Sequence, residues 1–282
     1  MCATCGCGEE MHDHDHAHDH AHLHTHAHPH THAHPHDPTH SHSHSHSPPH
    51  PHPHSHSHSH DPAPSPEARL IKLEHDVLSK NALGAAKNRG YFQGRKLLAL
   101  NLVSSPGSGK TTLLERTIRD LGQKWTFSVI QGDQATDHDA ERVRRAGARA
   151  VQLNTGTVCH LDAAMVERAL HELDPPPGAV LAIENVGNLV CPALFDLGEQ
   201  ERIVVASYAE GDDKPLKYPY MFRSASLVVL NKLDLAPYVE FDAKRFRDYV
   251  SQVNPAARVI ELSALRGTGL ADWYGWLEGA RG

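Results

Sequence analysis

A glycine-rich turn between an apolar segment and a helical pattern constrains this chain more than any other feature. Residues 97–103 are predicted to form a buried strand, and residues 104–112 then read SSPGSGKTT. Such a turn points backbone N–H groups and the positive end of a helix dipole at an anion, while Lys110 supplies a cation and Thr111 a hydroxyl ligand for Mg²⁺. We therefore predict a phosphate-binding loop, although Ser104 stands where the usual pattern has its first glycine. The residues predicted to contact the nucleotide are Gly107, Ser108, Gly109, Lys110, Thr111 and Thr112.

A second motif, far downstream, predicts which base the site holds. An apolar segment, residues 226–230, ends in Asn231-Lys232-Leu233-Asp234, the pattern by which GTPases recognise guanine. The two carboxylate oxygens of Asp234 match the N1–H and the exocyclic amine of guanine. A loop beginning at Ser263-Ala264, after the strand-like residues 258–262, is expected to lie against the same base.

Acidic residues between these motifs predict a magnesium site. Glu184 ends the apolar run 181–183, where a carboxylate beside a phosphate loop can hold the Mg²⁺ shell. Gly187 is expected to offer a backbone N–H near the γ-phosphate. Of the carboxylates that follow another strand-like segment, one of Asp133 or Asp139 is expected to assist Mg²⁺ or the attacking water. The alternative for each is a solvated loop charge, and no arginine can be assigned to the transition state.

The order of these motifs predicts the fold and the domain organisation. Alternating strands and helices over residues 96–282 indicate an α/β domain of the P-loop NTPase class, with three layers and a mostly parallel, doubly wound sheet. Residues 67–95 are predicted to form a helix and its connection. Residues 9–66 lack the apolar side chains needed for a core and are predicted to be a disordered histidine-rich extension. Residues 1–8 form a separate cysteine motif.

The predicted helix before the domain has an apolar face. Leu70, Leu73, Val77 and Leu78 recur at helical spacing within residues 68–87. We expect this face to pack on the domain itself, and docking on a partner is the alternative.

Charge and hydropathy exclude several classes of function. A formal net charge of −7 at pH 7 argues against a nucleic-acid or membrane-surface binder. No apolar run is long enough to cross a bilayer, and the first residues lack the layout of a signal peptide, so we expect a cytoplasmic protein. Five cysteines, three of them within the first seven residues, favour metal chemistry in a reducing compartment over a disulfide framework.

The N-terminal cysteines have a chelating spacing. Cys2, Cys5 and Cys7 place three thiols within six residues, with glycines that let the backbone fold around an ion. Metal binding by soft thiolate ligands is favoured over a redox motif. A tetrahedral zinc site needs a fourth ligand, and a square-planar nickel site can use the nearby α-amino group, so the metal stays open.

A histidine-rich tract predicts metal storage. All but four of the 27 histidines lie between His12 and His60, among Pro, Ser, Ala and Asp. In an extended chain, so many imidazoles can bind several borderline ions in interchangeable arrangements. A cloning tag is the alternative, but tags are short uninterrupted runs.

A third set of candidate ligands lies inside the domain. Cys159-His160 is expected to open a helix over residues 161–173, where the helix dipole favours a thiolate. Cys191 follows Glu184 by seven residues, within the loop expected to sense the γ-phosphate. A lone cysteine is usually a small buried hydrophobe, but the Cys-His pair together with Cys191 favours a metal site.

Taken together, these motifs resemble those of the HypB family, the GTPases that insert nickel during maturation of nickel–iron hydrogenases. The resemblance implies a nucleotide-promoted homodimer, a tight nickel site at the N-terminal cysteines, and a weaker nickel or zinc site at Cys159, His160 and Cys191. It also implies three partners, namely a HypA-type zinc and nickel accessory protein, a peptidyl-prolyl isomerase metallochaperone and the hydrogenase large subunit. The segments that carry it are 104–112, 132–133, 159–162, 184–188, 191–192, 210–215 and 231–234, together with Cys2, Cys5 and Cys7.

We therefore predict a nickel-binding, Mg²⁺-dependent GTPase that couples GTP hydrolysis to nickel delivery. The urease maturation GTPases share the fold, nickel and histidine-rich tails, and are the nearest alternative. A metal buffer with a secondary GTPase activity is an alternative from another class.

Overall fold

The computed structural model describes residues 65–133, 138–156 and 158–282 of the chain. The predicted metal motif at Cys2, Cys5 and Cys7 and the histidine-rich segment lie outside the described residues.

Seven parallel strands form one sheet with the order β3-β2-β4-β1-β5-β6-β7. The strands are β1 (Leu98–Ser104), β2 (Phe127–Asp133), β3 (Arg149–Asn154), β4 (Val180–Gly187), β5 (Glu201–Ser207), β6 (Leu227–Asn231) and β7 (Arg258–Glu261). The helices are α1 (Pro66–Gly94), α2 (Lys110–Leu121), α3 (His138–Ala146), α4 (Ala163–Leu173), α5 (Lys214–Lys217), α6 (Pro219–Arg223), α7 (Ala243–Val253) and α8 (Leu270–Arg281). Short 3-10 helices span Cys191–Leu194 and Leu233–Tyr238. The predicted doubly wound P-loop fold is confirmed.

Strand β1 is apolar at every position except Asn101 and Ser104. Leu98, Leu100 and Leu102 pack with α2 and α8 in one core cluster, whereas Ala99 packs with α4 in another. Because helices cover both faces of a parallel sheet, alternate side chains are buried on opposite sides. The carboxyl ends of β1, β2, β4 and β6 all lie at one edge of this sheet, where ligands bind in such folds.

Helix α1 differs from the prediction in how it packs. Leu70, Leu73, Val77 and Leu78 are all exposed, so the expectation that they pack on the domain is wrong. The helix instead packs on the domain through its second half, where Ala85, Asn88 and Phe92 are buried. Its 29 residues span about 44 Å, against about 16 Å for α4, the helix on which it packs. The first turns therefore extend beyond the surface that could cover them.

No helix within the described ranges is long and apolar enough to span a bilayer.

Candidate nucleotide and metal site

The predicted phosphate loop connects β1 to the first residue of α2. Gly107 and Gly109 have φ values of 74° and 99°, which glycine adopts without steric cost. Lys110 lies under the loop, and its Nζ donates a hydrogen bond to Ser104 Oγ at 2.7 Å. Ser104 thus has a definite role where the usual pattern has glycine. Burial lowers the pKa of Lys110, and the carboxylate of Glu184 opposes this shift.

Three oxygen-bearing side chains converge beside the loop. Thr111 Oγ1 lies 2.6 Å from Glu184 Oε1 and 3.2 Å from Asp139 Oδ2. Gln131 Nε2 donates to the other oxygen of Glu184 at 3.0 Å, and among the described residues Gln131 Oε1 is buried without a hydrogen-bond partner. Burial raises the pKa of Glu184, while Lys110 opposes the shift. Hard oxygen ligands of this kind suit Mg²⁺.

A cavity of about 450 Å³ joins these groups, within the usual range for a small-molecule site. Asp133 lines this cavity at the end of β2, whereas Asp139, from α3, makes the contact with Thr111. Gly187 also lines the cavity, and a Cβ there would lie 2.9 Å from Pro106 Cα. The end of β4 and the phosphate loop therefore approach each other more closely than a larger residue allows.

The guanine motif lies against the other side of the phosphate loop. Asn231 Nδ2 donates to the carbonyl of Ser108 at 2.9 Å, and Asn231 Oδ1 accepts from the N–H of Ala264 at 3.0 Å. Ser263 Oγ donates to Asp234 Oδ1 at 2.5 Å. Lys232 has a φ of 61°, which turns the chain between Asn231 and the following 3-10 helix. The structure thus brings all the predicted base-binding residues together beside the loop.

Two further groups lie at the site although no role was predicted for them from the sequence. Glu210 accepts a hydrogen bond from Ser108 Oγ, and Lys214 Nζ bonds Ser105 Oγ at 2.6 Å and pairs with Glu210 at 3.0 Å. These residues belong to the 210–215 segment, whose resemblance to the HypB family was the available signal.

Arg142 on α3 is the second group. Its guanidinium pairs with Asp139 at 3.1 Å and with Glu115 at 2.7 Å, and it lines the cavity. Since α3 carries several arginines, sequence alone does not distinguish this one.

The three candidate metal ligands inside the domain also lie close together, and we call them the inner metal site. One ligand atom from each of Cys159, His160 and Cys191 lies within 4.8 Å of the others. The two sulfur atoms are 2.8 Å apart, longer than the ~2.05 Å of a disulfide bond. Two thiols and one imidazole form a nitrogen and sulfur donor set that leaves a fourth position open on a tetrahedral ion.

His160 is held in the form that binds metals. Its ring stacks on Phe195 with centroids 3.9 Å apart, and among the described residues its buried Nδ1 has no hydrogen-bond partner. Burial lowers the pKa of His160, and nearby Asp162 opposes the shift. The neutral imidazole, which is the metal ligand, is therefore favoured.

Helix α4 begins later than predicted. Its first residue is Ala163, and Asp162 is the N-cap, accepting from the N–H of Met165 at 2.7 Å. The N-cap residue has an extended backbone, so the helix cannot include Leu161. Cys159 therefore lies three residues before the cap, and the predicted helix start at residue 161 is wrong. The effect of the helix dipole on its thiolate stays a prediction.

Comparisons with known proteins agree with this geometry. The CobW/HypB/UreG nucleotide-binding domain family matches residues 98–261. The hydrogenase maturation factor HypB of Azotobacter vinelandii is 54% identical over 216 residues, which cover 77% of this chain and 71% of that protein. HypB of Escherichia coli (strain K12) is 51% identical over 215 residues, 76% of this chain and 74% of that protein.

Solved structures extend the similarity to three dimensions. HypB from Archaeoglobus fulgidus has a TM-score of 0.68 and 40% identity, covering 72% of this chain and 100% of its own. HypB from Helicobacter pylori in complex with nickel has a TM-score of 0.67 and 38% identity, covering 72% of this chain and 95% of its own. The chain therefore belongs to the CobW/HypB/UreG family of P-loop GTPase domains and, within it, to the HypB hydrogenase maturation factors.

Proposed function

We propose that this protein is a Mg²⁺-dependent GTPase that binds nickel and delivers it to nickel–iron hydrogenase. One observation carries the proposal. The ligand atoms of Cys159, His160 and Cys191 converge within 4.8 Å, and Cys191 begins the 3-10 helix that follows β4, the strand whose Glu184 bonds Thr111 of the phosphate loop.

The chemistry of hydrolysis is assigned to the residues around the cavity. Lys110 neutralises phosphate charge, and Asp234 selects guanine by accepting two hydrogen bonds from the base. Thr111 and Glu184 would hold Mg²⁺, which supplies charge stabilisation at the β- and γ-phosphates. Because Asp139 lies 3.2 Å from Thr111, we favour it over Asp133 as the carboxylate that assists the metal shell or orients water.

Nickel is the cargo of the inner site. Thiolate and imidazole ligands suit borderline ions such as nickel, and zinc is a competitor for the same donors. Three ligands leave a coordination position that a second copy of the chain can fill, which agrees with the GTP-promoted homodimer expected of the family.

The loop after β4 links hydrolysis to the cargo. Asn188 Oδ1 accepts hydrogen bonds from the N–H groups of Val190 (2.7 Å) and Cys191 (3.3 Å), so movement of the loop carries Cys191 with it. If the GTP and GDP forms hold this loop differently, nickel affinity differs between them, and by linkage nickel alters nucleotide affinity equally.

The N-terminal segments extend the proposal beyond the domain. Cys2, Cys5 and Cys7 form a second nickel site, and the histidine-rich tract is a nickel reservoir in the cytoplasm. Proposed partners are a HypA-type accessory protein, a peptidyl-prolyl isomerase metallochaperone and the hydrogenase large subunit.

Complementation tests the proposed function. Wild-type protein is expected to restore hydrogenase activity in a strain lacking its own HypB, and purified protein is expected to hydrolyse GTP in preference to ATP. Deletion of residues 12–60 should lower hydrogenase activity only when nickel is scarce. Loss of activity in nickel-rich medium would instead show that the tract is essential to delivery, and full activity of Cys159→Ala and Cys191→Ala would contradict a role for the inner site.

Urease maturation is the second candidate, because a relative from Helicobacter pylori, 40% identical over 212 residues, is described as a hydrogenase/urease maturation factor. Restoration of urease activity, without hydrogenase activity, in a strain deficient in both would favour it.

A further inference from the structure

Asn185 lies between the nucleotide site and the inner metal site. It follows Glu184 on β4 and is 1% exposed. Its Oδ1 accepts hydrogen bonds from the N–H of Leu161 at 3.1 Å and from the N–H of Val186 at 3.0 Å. Since Leu161 directly follows His160, one amide group joins the strand that carries Glu184 to the segment that carries two metal ligands.

Leu161 is also held by the neighbouring strand. The side chain is fully buried, and it packs on Gly132, where an added Cβ would lie 2.8 Å from Leu161 Cγ. Gly132 precedes Asp133 at the cavity end of β2. Leu161 is therefore in contact with β2 and β4, two of the strands that border the nucleotide cavity.

A second series of polar contacts connects Asn185 to the segment that contains Cys191. Asn185 Nδ2 is 3.4 Å from Asn101 Oδ1, and Asn101 Nδ2 donates to Glu199 Oε1 at 3.0 Å. Glu199 pairs with Arg202 at 2.7 Å, and both side chains are largely buried.

Arg202 connects this series of contacts to the residues around the metal site. It donates to the carbonyl oxygens of Phe195 at 3.0 Å and Ala193 at 3.4 Å. Phe195 stacks on His160, and Ala193 belongs to the 3-10 helix that begins at Cys191.

Separating the members of this buried network is unfavourable. Removing one partner from a buried ion pair or amide hydrogen bond costs more free energy than the bond contributes, so we expect displacement of one group to displace its partners. Both halves of the metal site are thus connected, through the buried side chain of Asn185, to the strand that carries Glu184.

We propose that Asn185 is a positioning residue that couples the nucleotide site to the inner metal site, by holding the Cys159–His160 segment and the Cys191 segment in register with Glu184. This inference rests on the proposed function, and it assigns the coupling to one residue that lines the nucleotide cavity and whose side chain bonds the segment that carries two metal ligands.

The test uses the full chain with all three N-terminal cysteines replaced (Cys2→Ala, Cys5→Ala and Cys7→Ala). Of the five cysteines, only Cys159 and Cys191 then remain. Thiolate-to-nickel charge-transfer absorption therefore reports nickel at the inner site, because the imidazoles of the histidine tract do not produce this absorption. Nickel is titrated with GDP and with a non-hydrolysable GTP analogue present. We expect the two nickel affinities to differ by about tenfold in this background and by less than about twofold in Asn185→Ala.

Two further variants distinguish a specific loss of coupling from a general loss of structure. Asn185→Asp keeps an acceptor oxygen for Leu161 and should retain most of the difference. Asn88→Ala removes another buried asparagine, one that donates to Ala163 O and Leu197 O, and should retain all of it. A preserved difference in Asn185→Ala, or its loss in Asn88→Ala as well, would overturn the proposal.

If Asn185→Ala does not fold, a measurement on the wild-type chain tests the same proposal. The amide of Leu161 in the wild-type chain should exchange hydrogen at different rates in the two nucleotide states, and equal rates would overturn the proposal. If the starting background itself shows no difference in nickel affinity, the proposed function fails instead.

Discussion

Replacing Gly109 by alanine tests whether Asn231 joins the phosphate loop to the guanine motif. Gly109 has a φ of 99°, and a Cβ there would lie 2.5 Å from Asn231 Nδ2, the atom that donates to the carbonyl of Ser108. Gly107 provides the matched control, because its φ is also positive, at 74°, and a Cβ there meets nothing within 4 Å.

The two substitutions share one cost and differ in another. Both force an L-residue into positive φ, at about 1–2 kcal/mol. Gly109→Ala also breaks the Asn231 bond and leaves a buried carbonyl without its donor, which adds about 1–3 kcal/mol. For a domain of this size, that difference corresponds to roughly 2–12 °C in melting temperature.

Calorimetry of the nucleotide-free protein measures this difference, because bound GDP would add its own binding free energy to the melting temperature. Gly109→Ala should melt below Gly107→Ala by the stated amount. Equal melting temperatures would refute the reasoning, since the contact with Asn231 would then contribute nothing.

Three other predictions concern the base, the magnesium shell and the metal ligand. Asp234→Asn should weaken GTP binding by roughly ten- to a hundredfold, because one charge-assisted hydrogen bond is lost, and should strengthen binding of xanthine nucleotides; unchanged GTP affinity by equilibrium titration would contradict this. Arg142→Ala should raise the Mg²⁺ concentration needed for half-maximal hydrolysis severalfold, because Asp139 loses its partner, whereas Arg145→Ala, which removes a surface pair, should not; equal Mg²⁺ dependence would show that Arg142 does not position Asp139. Burial lowers the pKa of His160 below its usual 6.5, so the unfolded chain binds more protons below that pH and the free energy of unfolding should fall there. His160→Phe keeps the aromatic stacking and should reduce this fall in metal-free urea titrations at pH 7.5 and 5.5; an unchanged fall would contradict it.

Much of the fold follows from the apolar segments. The run that forms β1 and the run before Asn231 are apolar because both faces of those strands are buried, and a glycine-rich turn after the first predicts where anions bind. Strand order does not follow, because an apolar run indicates burial without indicating which strand lies beside it. The pairing of β1 with both β4 and β5 is visible only in the structure.

Side-chain roles were predicted where a motif exists and missed where only geometry decides. Lys110 and Asp234 belong to motifs with a known chemical reason. Asn185 belongs to the 184–188 segment that carries the family resemblance, but the segment does not indicate what its side chain bonds. Its role depends on Leu161 and Asn101, which lie 24 and 84 positions away. The exposed first half of α1 was missed because helical spacing of Leu70 and its neighbours indicates an apolar face without showing what covers it.

The central claim is that a guanine nucleotide sets the affinity of the inner site for its ion. The most direct measurement is the nickel dissociation constant of that site in the full-length chain with Cys2, Cys5 and Cys7 replaced by alanine, with GDP and then with a non-hydrolysable GTP analogue bound. The account predicts constants that differ by about tenfold, with the difference abolished in Cys191→Ala. Identical constants in both nucleotide states would contradict it.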